Sequence, residues 1–212
     1  MRETVVVANA PWRWRPSFVA LVRRAGLVLA ADGGANHLAR IGVRPAAVVG
    51  DLDSILPEVR RWIGEERIVA RADQESTDLH KTLAYAFDER GARRVTILAG
   101  AAGRLDHAVE NLALLARWAA HGEVEMRDER HRIVPVAGSR RFRTAPGAQV
   151  SLLPLGRCRR VWTSGLRWRL DGEALDLAGR TGMSNVATGS RIGVRVEGGS
   201  LLVFLSEPVP EA

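Results

Sequence analysis

Four places in the chain put acids where a strand should end. In AVVGDLDS (47–54), Val48 and Val49 suit a buried strand, Gly50 permits a turn, and Asp51 and Asp53 follow at the strand's carboxyl end, the side on which open α/β sheets bind ligands. If the chain stays extended there, residues two apart point the same way. Two like charges side by side favour a cation between them, and carboxylates working with phosphate fit Mg²⁺. A solvated loop carries the same two aspartates, so the pair alone does not choose between these readings. The same pattern recurs elsewhere: LVLAA (27–31) runs into Asp32-Gly33-Gly34, and VTILA (95–99) runs into a glycine-rich loop carrying Arg104 and then Asp106. Both place a carboxylate and backbone N–H groups where phosphate or metal can approach, although DGG is also a common turn. In DQESTDLHK (73–81), Ser76 or Thr77 suits a helix N-cap, which sets Asp78 and Lys81 on one helical face. A cap followed by an ordinary ion pair accounts for that segment equally well.

The elements that must position these groups follow from periodicity. Strands are expected at 4–9, 27–31, 47–50, 67–71, 95–99 and 124–127, and helices over 18–25, 57–63, after residue 77 and from about 105 to a glycine stop at Gly122. Strands alternating with helices indicate an α/β domain with a mainly parallel sheet, here placed over residues 1–130. From His131 the pattern changes to short alternating stretches punctuated by Gly and Pro: 132–136, 140–144, 149–153, 159–163, 166–170, 191–196 and 201–205. These indicate a second, all-β domain over 131–212, a sandwich or barrel. Within it Thr181–Asn185 is the polar stretch most shaped for a ligand, though by spacing it reads as a hairpin turn. Near the N-terminus Trp12-Arg13-Trp14-Arg15 suits either a base-stacking platform or a packed surface turn, and we favour the packed turn.

Composition narrows the functional classes. The chain has 46% apolar and 26% charged residues, ordinary for a globular protein. Its longest apolar runs are short or interrupted, so no membrane helix is expected. Met1–Thr4 does not begin a secretory signal, and the single cysteine, Cys158, forms no internal disulfide; both point to the cytoplasm. The net charge of +7 is uneven: residues 1–130 hold 19 basic against 18 acidic side chains, and residues 131–212 hold 12 against 6. That excess is spread along apparent strands with no nucleic-acid motif beside it, so a nucleic-acid partner is not expected. Of 31 basic residues the one lysine is Lys81. Where arginine serves every other position, a retained lysine points to a need for a compact ammonium.

Taken together, ADGGANHL, VVGDLDS, DQESTDLHKTL, GAAGRLDHAVENL, GLRWRL and GMSN resemble the thiamin pyrophosphokinase (thiamin diphosphokinase) family, in the family's order and over nearly the whole chain. The resemblance implies an α/β catalytic domain, a C-terminal β-sandwich, and a homodimer with thiamin bound between subunits. It implies transfer of the pyrophosphoryl group of ATP to the thiamin hydroxyl, releasing AMP. By motif position, Asp51, Asp53 and Asp78 would serve Mg²⁺ with Asp32 completing the acidic patch. Gln74, Thr77, Lys81 and Arg104 would hold the triphosphate, with Asp106 nearby, and Ser184 and Asn185 would approach thiamin. Such chemistry needs cations on phosphate oxygens and little covalent work; a carboxylate near the hydroxyl, Asp78 or Asp106, would accept its proton. The sequence departs from the family in having Leu52 and Leu105 where Phe is frequent, and in carrying no aromatic between Asn185 and Phe204. Another Mg²⁺-dependent nucleotide phosphotransferase or hydrolase is the first alternative, and a nucleic-acid-binding module the second.

Overall fold

The computed structural model describes residues 3–207. They divide into two compact units, one running to Leu114 and including Ala120–Asp128, the other comprising Leu115–Ala119 and the chain from Glu129.

The first unit alternates strands and helices: β1 (Thr4–Val7), α1 (Pro16–Arg24), β2 (Leu27–Ala31), α2 (Gly34–Arg40), β3 (Ala47–Gly50), α3 (Pro57–Ile63), β4 (Ile68–Ala70), α4 (Asp78–Ala84), β5 (Arg94–Leu98), the first part of α5 (Leu105–Trp118) and β6 (Glu123–Arg127). The strands lie in the order β6-β5-β1-β2-β3-β4, and each adjacent pair runs parallel. Local chemistry explains the boundaries. Pro16 and Pro57 open α1 and α3, where a missing N–H costs nothing. Thr77 caps α4, its hydroxyl accepting the N–H of His80 at 3.4 Å. The core of this unit joins β-strand residues Val5, Val7, Ala30 and Val48 to Phe18, Val22, Leu38, Val59 and Ile63 from the helices. Trp12 and Trp14 pack against that core, edge to face with centroids 6.0 Å apart, and Trp14 donates its indole N–H to the carbonyl of His37 at 3.0 Å. The WRWR segment is therefore a packed turn.

The second unit contains β7 (His131–Arg143), β8 (Gln149–Leu155), β9 (Cys158–Ser164), β10 (Asp171–Leu175), β11 (Gly182–Val186) and β12 (Arg191–Ser206). All its pairings are antiparallel: β12 contacts β7, β8 and β9, β9 continues to β10, and β8 to β11. Three expectations are corrected. The pairs 132–136 with 140–144, and 191–196 with 201–205, are each one long strand; the glycines that suggested turns allow a bulge between Val196 and Leu201. Residues 166–170 form a loop with one bridge, Leu166 to Ala187. Thr181–Asn185, read as a turn, lies mostly in β11, whose register slips between Gly182 and Asn185.

Gly34 shows how tightly the first unit closes at its strand ends. A Cβ there would lie 2.0 Å from the carbonyl oxygen of Val7, a backbone atom that cannot step aside. Gly34→Ala is expected to destabilise the protein by at least ~3 kcal/mol, read as a fall in the urea midpoint.

Candidate functional site

Three strand and helix ends meet at the carboxyl edge of the parallel sheet. Asp32 follows β2, Asp51 follows β3 and Asp78 opens α4, and one carboxylate oxygen from each lies within 4.8 Å of the others. The backbone fixes all three. Asp32 donates its N–H to the carbonyl of Val49 at 3.0 Å, its Oδ2 accepts the N–H of Ser54 at 2.9 Å, and the N–H of Asp51 donates to Asp78 Oδ1 at 3.2 Å. Asp32 is 1% exposed, and its Oδ1 is buried with no hydrogen-bond partner. Burial, followed by the charges of Asp78, Asp53 and Asp51 against one backbone hydrogen bond, raises its pKa from 3.8 to about 6. Asp78 is raised too, by burial and then by Asp51. Gly50 makes the convergence possible: a Cβ there would sit 2.8 Å from Asp78 Oδ1 and 2.9 Å from the Asp32 Cβ.

Asp53 does not join the three. The expectation that Asp51 and Asp53 share a direction required an extended chain, and Leu52 instead has φ 70°, a conformation that redirects the next side chain. Asp51 Oδ1 accepts the N–H of Asp53 at 3.4 Å, and Asp53 Oδ1 accepts the hydroxyl of Ser54 at 2.8 Å. Asp53 is exposed at the rim and Asp32 takes the inner place. Asp32 has φ 40°; strained non-glycine backbone gathered at one edge is the pattern of a functional site.

Asp51, Asp53 and Asp78 open into a cleft of about 650 Å³ whose lining also includes Gln74, Thr77, Lys81 and Arg104, while Asp32 is buried beside them and is not part of that lining. Lys81 is buried, with its ammonium 3.5 Å from Asp78 Oδ1. Arg104 and Asp106 form an exposed pair on the opposite loop, Nη2 to Oδ2 at 2.6 Å; the Arg104 hydrogen bond holds the Asp106 carboxyl at about 2. Gln74 is exposed, its amide 3.4 Å from the carbonyl of Ala72. The lining also contains Asn9, Ser54, His107 and Asn111. Asn111 is buried and donates to the carbonyl of Gly100 at 2.9 Å, tethering the loop that carries Arg104. Asn36 ties down the loop after β3, donating to the carbonyl of Ser54 at 2.9 Å and accepting the N–H of Leu56 at 3.0 Å. The one signal for both was an asparagine at the start or on the inner face of a helix beside a glycine loop.

In the second unit Ser184 is exposed, with φ 56°, and its N–H donates to Ser151 Oγ at 3.0 Å. Asn185 is buried and its amide bonds to backbone: Oδ1 accepts the N–H of Trp168 at 3.1 Å and of Val186 at 2.9 Å, and Nδ2 donates to the carbonyl of Trp168 at 2.6 Å. Of the two residues expected to approach a substrate, Ser184 presents itself and Asn185 positions a loop.

Residues 18–126 match the family model of the thiamin pyrophosphokinase catalytic domain, and residues 132–202 match that of the thiamin pyrophosphokinase vitamin B1 binding domain. The chain belongs to the thiamin pyrophosphokinase family. Thiamine pyrophosphokinase 1 of Oryza sativa subsp. japonica is 30% identical over 200 residues, spanning 81% of this chain and 76% of that protein. Among solved structures, thiamine pyrophosphokinase from Bacillus subtilis superposes with a TM-score of 0.85 at 23% identity, covering 97% of this chain and 99% of the other. Yeast thiamin pyrophosphokinase gives 0.81 at 20% identity over 98% and 87%. These two likenesses concern the fold. The chain is an enzyme of this family's type, and the carboxylates, Lys81 and Arg104 of the cleft lie in the part matched to the catalytic domain, while Asn9 on its lining precedes that part.

The orphaned Asp32 oxygen and three converging carboxylates fit a divalent cation with oxygen ligands. The linkage has a definite sign. Native Asp32 holds its proton up to about pH 6 whereas the unfolded group loses it near 3.8, so stability falls as pH rises between those values and stays reduced above them. Asp32→Asn, measured by urea unfolding with chelator, is expected to stabilise the protein by up to ~3 kcal/mol at neutral pH, with no gain at the acid end of that window. Added Mg²⁺ should stabilise the wild type and leave the variant unmoved.

Proposed function

We propose that this chain transfers the pyrophosphoryl group of ATP to the hydroxyl of thiamin, giving thiamin diphosphate and AMP, with the strand-end cleft as its triphosphate site. One observation carries the site assignment: carboxylates, a buried ammonium and a loop arginine face one cleft in the part of the chain that matches the catalytic domain of the family. Carboxylates alone repel a polyanion, so their presence beside Lys81 and Arg104 calls for a cation between acid and phosphate. Asp32, Asp51 and Asp78 would hold Mg²⁺, with Asp53 at the rim. The ion supplies neutralisation of phosphate oxygens.

The chain's own groups supply the rest. Lys81, held at Asp78, and Arg104, carried on the loop that Asn111 tethers, offset charge on the triphosphate and on the departing AMP. Gln74 and Thr77 stand at the same wall, Thr77 by its backbone and cap position. The hydroxyl oxygen of thiamin forms its bond to the β-phosphorus, the bond from that phosphorus to the oxygen bridging to the α-phosphate breaks, and AMP carries away the electron pair. The proton of the hydroxyl goes to a carboxylate. Asp106, held at about 2 by Arg104, is a poor acceptor while that pair is intact, and a cation on Asp78 would lower that group's proton affinity in turn, so the two carboxylates compete for this role only as far as phosphate draws Arg104 away or the ion leaves an Asp78 oxygen open. The second unit, matched to the vitamin B1 binding domain, takes thiamin with Ser184 among its contacts, on a β-sandwich scaffold, and the working assembly is a homodimer in the cytoplasm.

Purified protein incubated with thiamin, ATP and Mg²⁺ is expected to yield thiamin diphosphate and AMP in equal amounts. ADP in place of AMP, or AMP released without thiamin, overturns the assignment. Lys81→Arg tests the triphosphate site: a planar guanidinium does not replace a compact ammonium in a buried place, so turnover should fall by more than about tenfold while the urea midpoint shows the fold intact.

A further inference from the structure

Asn9 is a polar side chain held in a fixed place without a partner. It follows β1 at the carboxyl edge of the sheet and lines the strand-end cleft. The backbone on both sides of it is fastened: Ala8 donates its N–H to the carbonyl of Leu98 and Ala10 donates to that of Ala99, each at 2.9 Å. The carbonyl of Ala10 is bonded in turn to Nε2 of the buried His37 at 3.0 Å, and His37 accepts the indole N–H of Trp14 at its own carbonyl. The packed turn that carries the two tryptophans therefore anchors the chain just past Asn9.

Gly33 makes room for the Asn9 amide. Its φ of −59° and ψ of −10° suit any residue, so conformation does not call for glycine there. A Cβ on Gly33 would lie 2.3 Å from Asn9 Nδ2, 2.5 Å from Cγ and 2.6 Å from Oδ1; the amide occupies the space that any other residue type would fill. Such an amide carries two donors and an acceptor, yet among the described residues it forms no hydrogen bond, and Asn9 is exposed at the cleft. Its neighbours belong to both walls. Gly33 directly follows Asp32, and Pro11, two residues past Asn9, abuts Gly103, where a Cβ would lie 2.6 Å from the proline Cδ. Gly103 directly precedes Arg104. Asn9 is thus bracketed by the segments that bear an inner carboxylate and the loop arginine.

We propose that Asn9 is a further catalytic residue, its amide donating to a non-bridging oxygen of the pyrophosphoryl group in transit. This rests on the reaction and the triphosphate site given above. Such a transfer asks the protein for positioning and for donors aimed at phosphoryl oxygens. At this place a cation would be drawn onto the carboxylates beside it, and an acid would add to their repulsion. A neutral amide offers a donor and does neither. Because Gly33 seats the amide and the backbone around it is bonded, the donor needs no reorganisation as the bond to the departing AMP breaks. The Asp-Gly-Gly run then has a use for each member: Asp32 is a carboxylate of the site, Gly33 seats the amide, and Gly34 clears the carbonyl of Val7.

The test follows steady-state formation of thiamin diphosphate and AMP, with binding of ATP and Mg²⁺ by calorimetry, in wild type, Asn9→Ala, Asn9→Asp, Gly33→Ala and the double variant Asn9→Ala with Gly33→Ala. Asn9→Ala is expected to lower kcat about a hundredfold, the effect of one donor lost from a charged transition state, with the Kd for ATP held within about threefold and the urea midpoint unchanged. Asn9→Asp keeps the shape without the donor and should lose at least as much. Gly33→Ala displaces the amide, so it should cost about tenfold in kcat beside Asn9 and less than about twofold beside an alanine at position 9. An Asn9→Ala enzyme with kcat unchanged, or with ATP binding weakened and kcat kept, overturns the proposal, as does a Gly33→Ala loss of the same size in both backgrounds. A wild type that binds ATP and makes no thiamin diphosphate overturns the reaction reading instead, so the two failures are distinguishable.

Discussion

Three carboxylates held within 4.8 Å repel one another, and the geometry of the parallel sheet keeps them there. Asp32 and Asp51 end neighbouring strands whose register is set by Ala31 opposite Val49, and the N–H of Asp32 is bonded across to that strand. Thr82 reaches back from the next turn of α4 to the carbonyls of Asp78 at 2.6 Å and Val49 at 3.4 Å, locking the helix that delivers the third acid. None of these groups can relax without breaking a ladder or a cap. Burial first, and the neighbouring carboxylates after it, raise the proton affinity of Asp32 and Asp78, and a cation among them would relieve the same charge. Gly50 and Gly34 belong to this constraint, since each leaves room where a side chain would force strand ends apart.

How much of this was legible in the sequence depends on the distance over which each feature is determined. Strands β2, β3 and β5, helix α3 and the Thr77 cap follow from local pattern and proline or threonine placement, and the structure holds them nearly where the pattern sets them. The identity of the inner carboxylates did not follow. Alternation along an extended chain pairs Asp51 with Asp53, and it fails because Leu52 takes φ 70°; the loop that follows is held by Asn36, 18 and 20 positions away, which donates to the carbonyl of Ser54 and accepts the N–H of Leu56. Asp32, buried and unpartnered, takes the inner place for reasons that belong to sheet register.

The second unit was harder to read for a related reason. Its strands carry bulges and glycines that look like turns, so local pattern divides β7 and β12 and makes β11 a turn, while the loop at 166–170 has a strand's alternation of Leu, Trp and Leu. What distinguishes that loop is one buried amide, Asn185, bonding to it across the sheet. Side-chain to backbone bonds of this kind compete with the ladder and leave no periodic trace.

Charge follows the same division between local habit and specific demand. Some of the arginines of the second unit are engaged along its surface: Arg160 and Arg195 both pair with Glu197 and lie over Trp162, and Arg169 pairs with Asp171 at 3.5 Å. Such planar, stacked contacts suit guanidinium groups. Lys81 stands where that chemistry does not fit, buried against Asp78 with three acids near by. An ammonium there neutralises part of the carboxylate charge, and under the proposed function its remaining donors would meet phosphate while its small head would leave the rest of the cleft to the ligand. The single lysine of the chain is therefore best understood through the carboxylates, whose crowding sets both the charge and the size of the cation that can share their cleft.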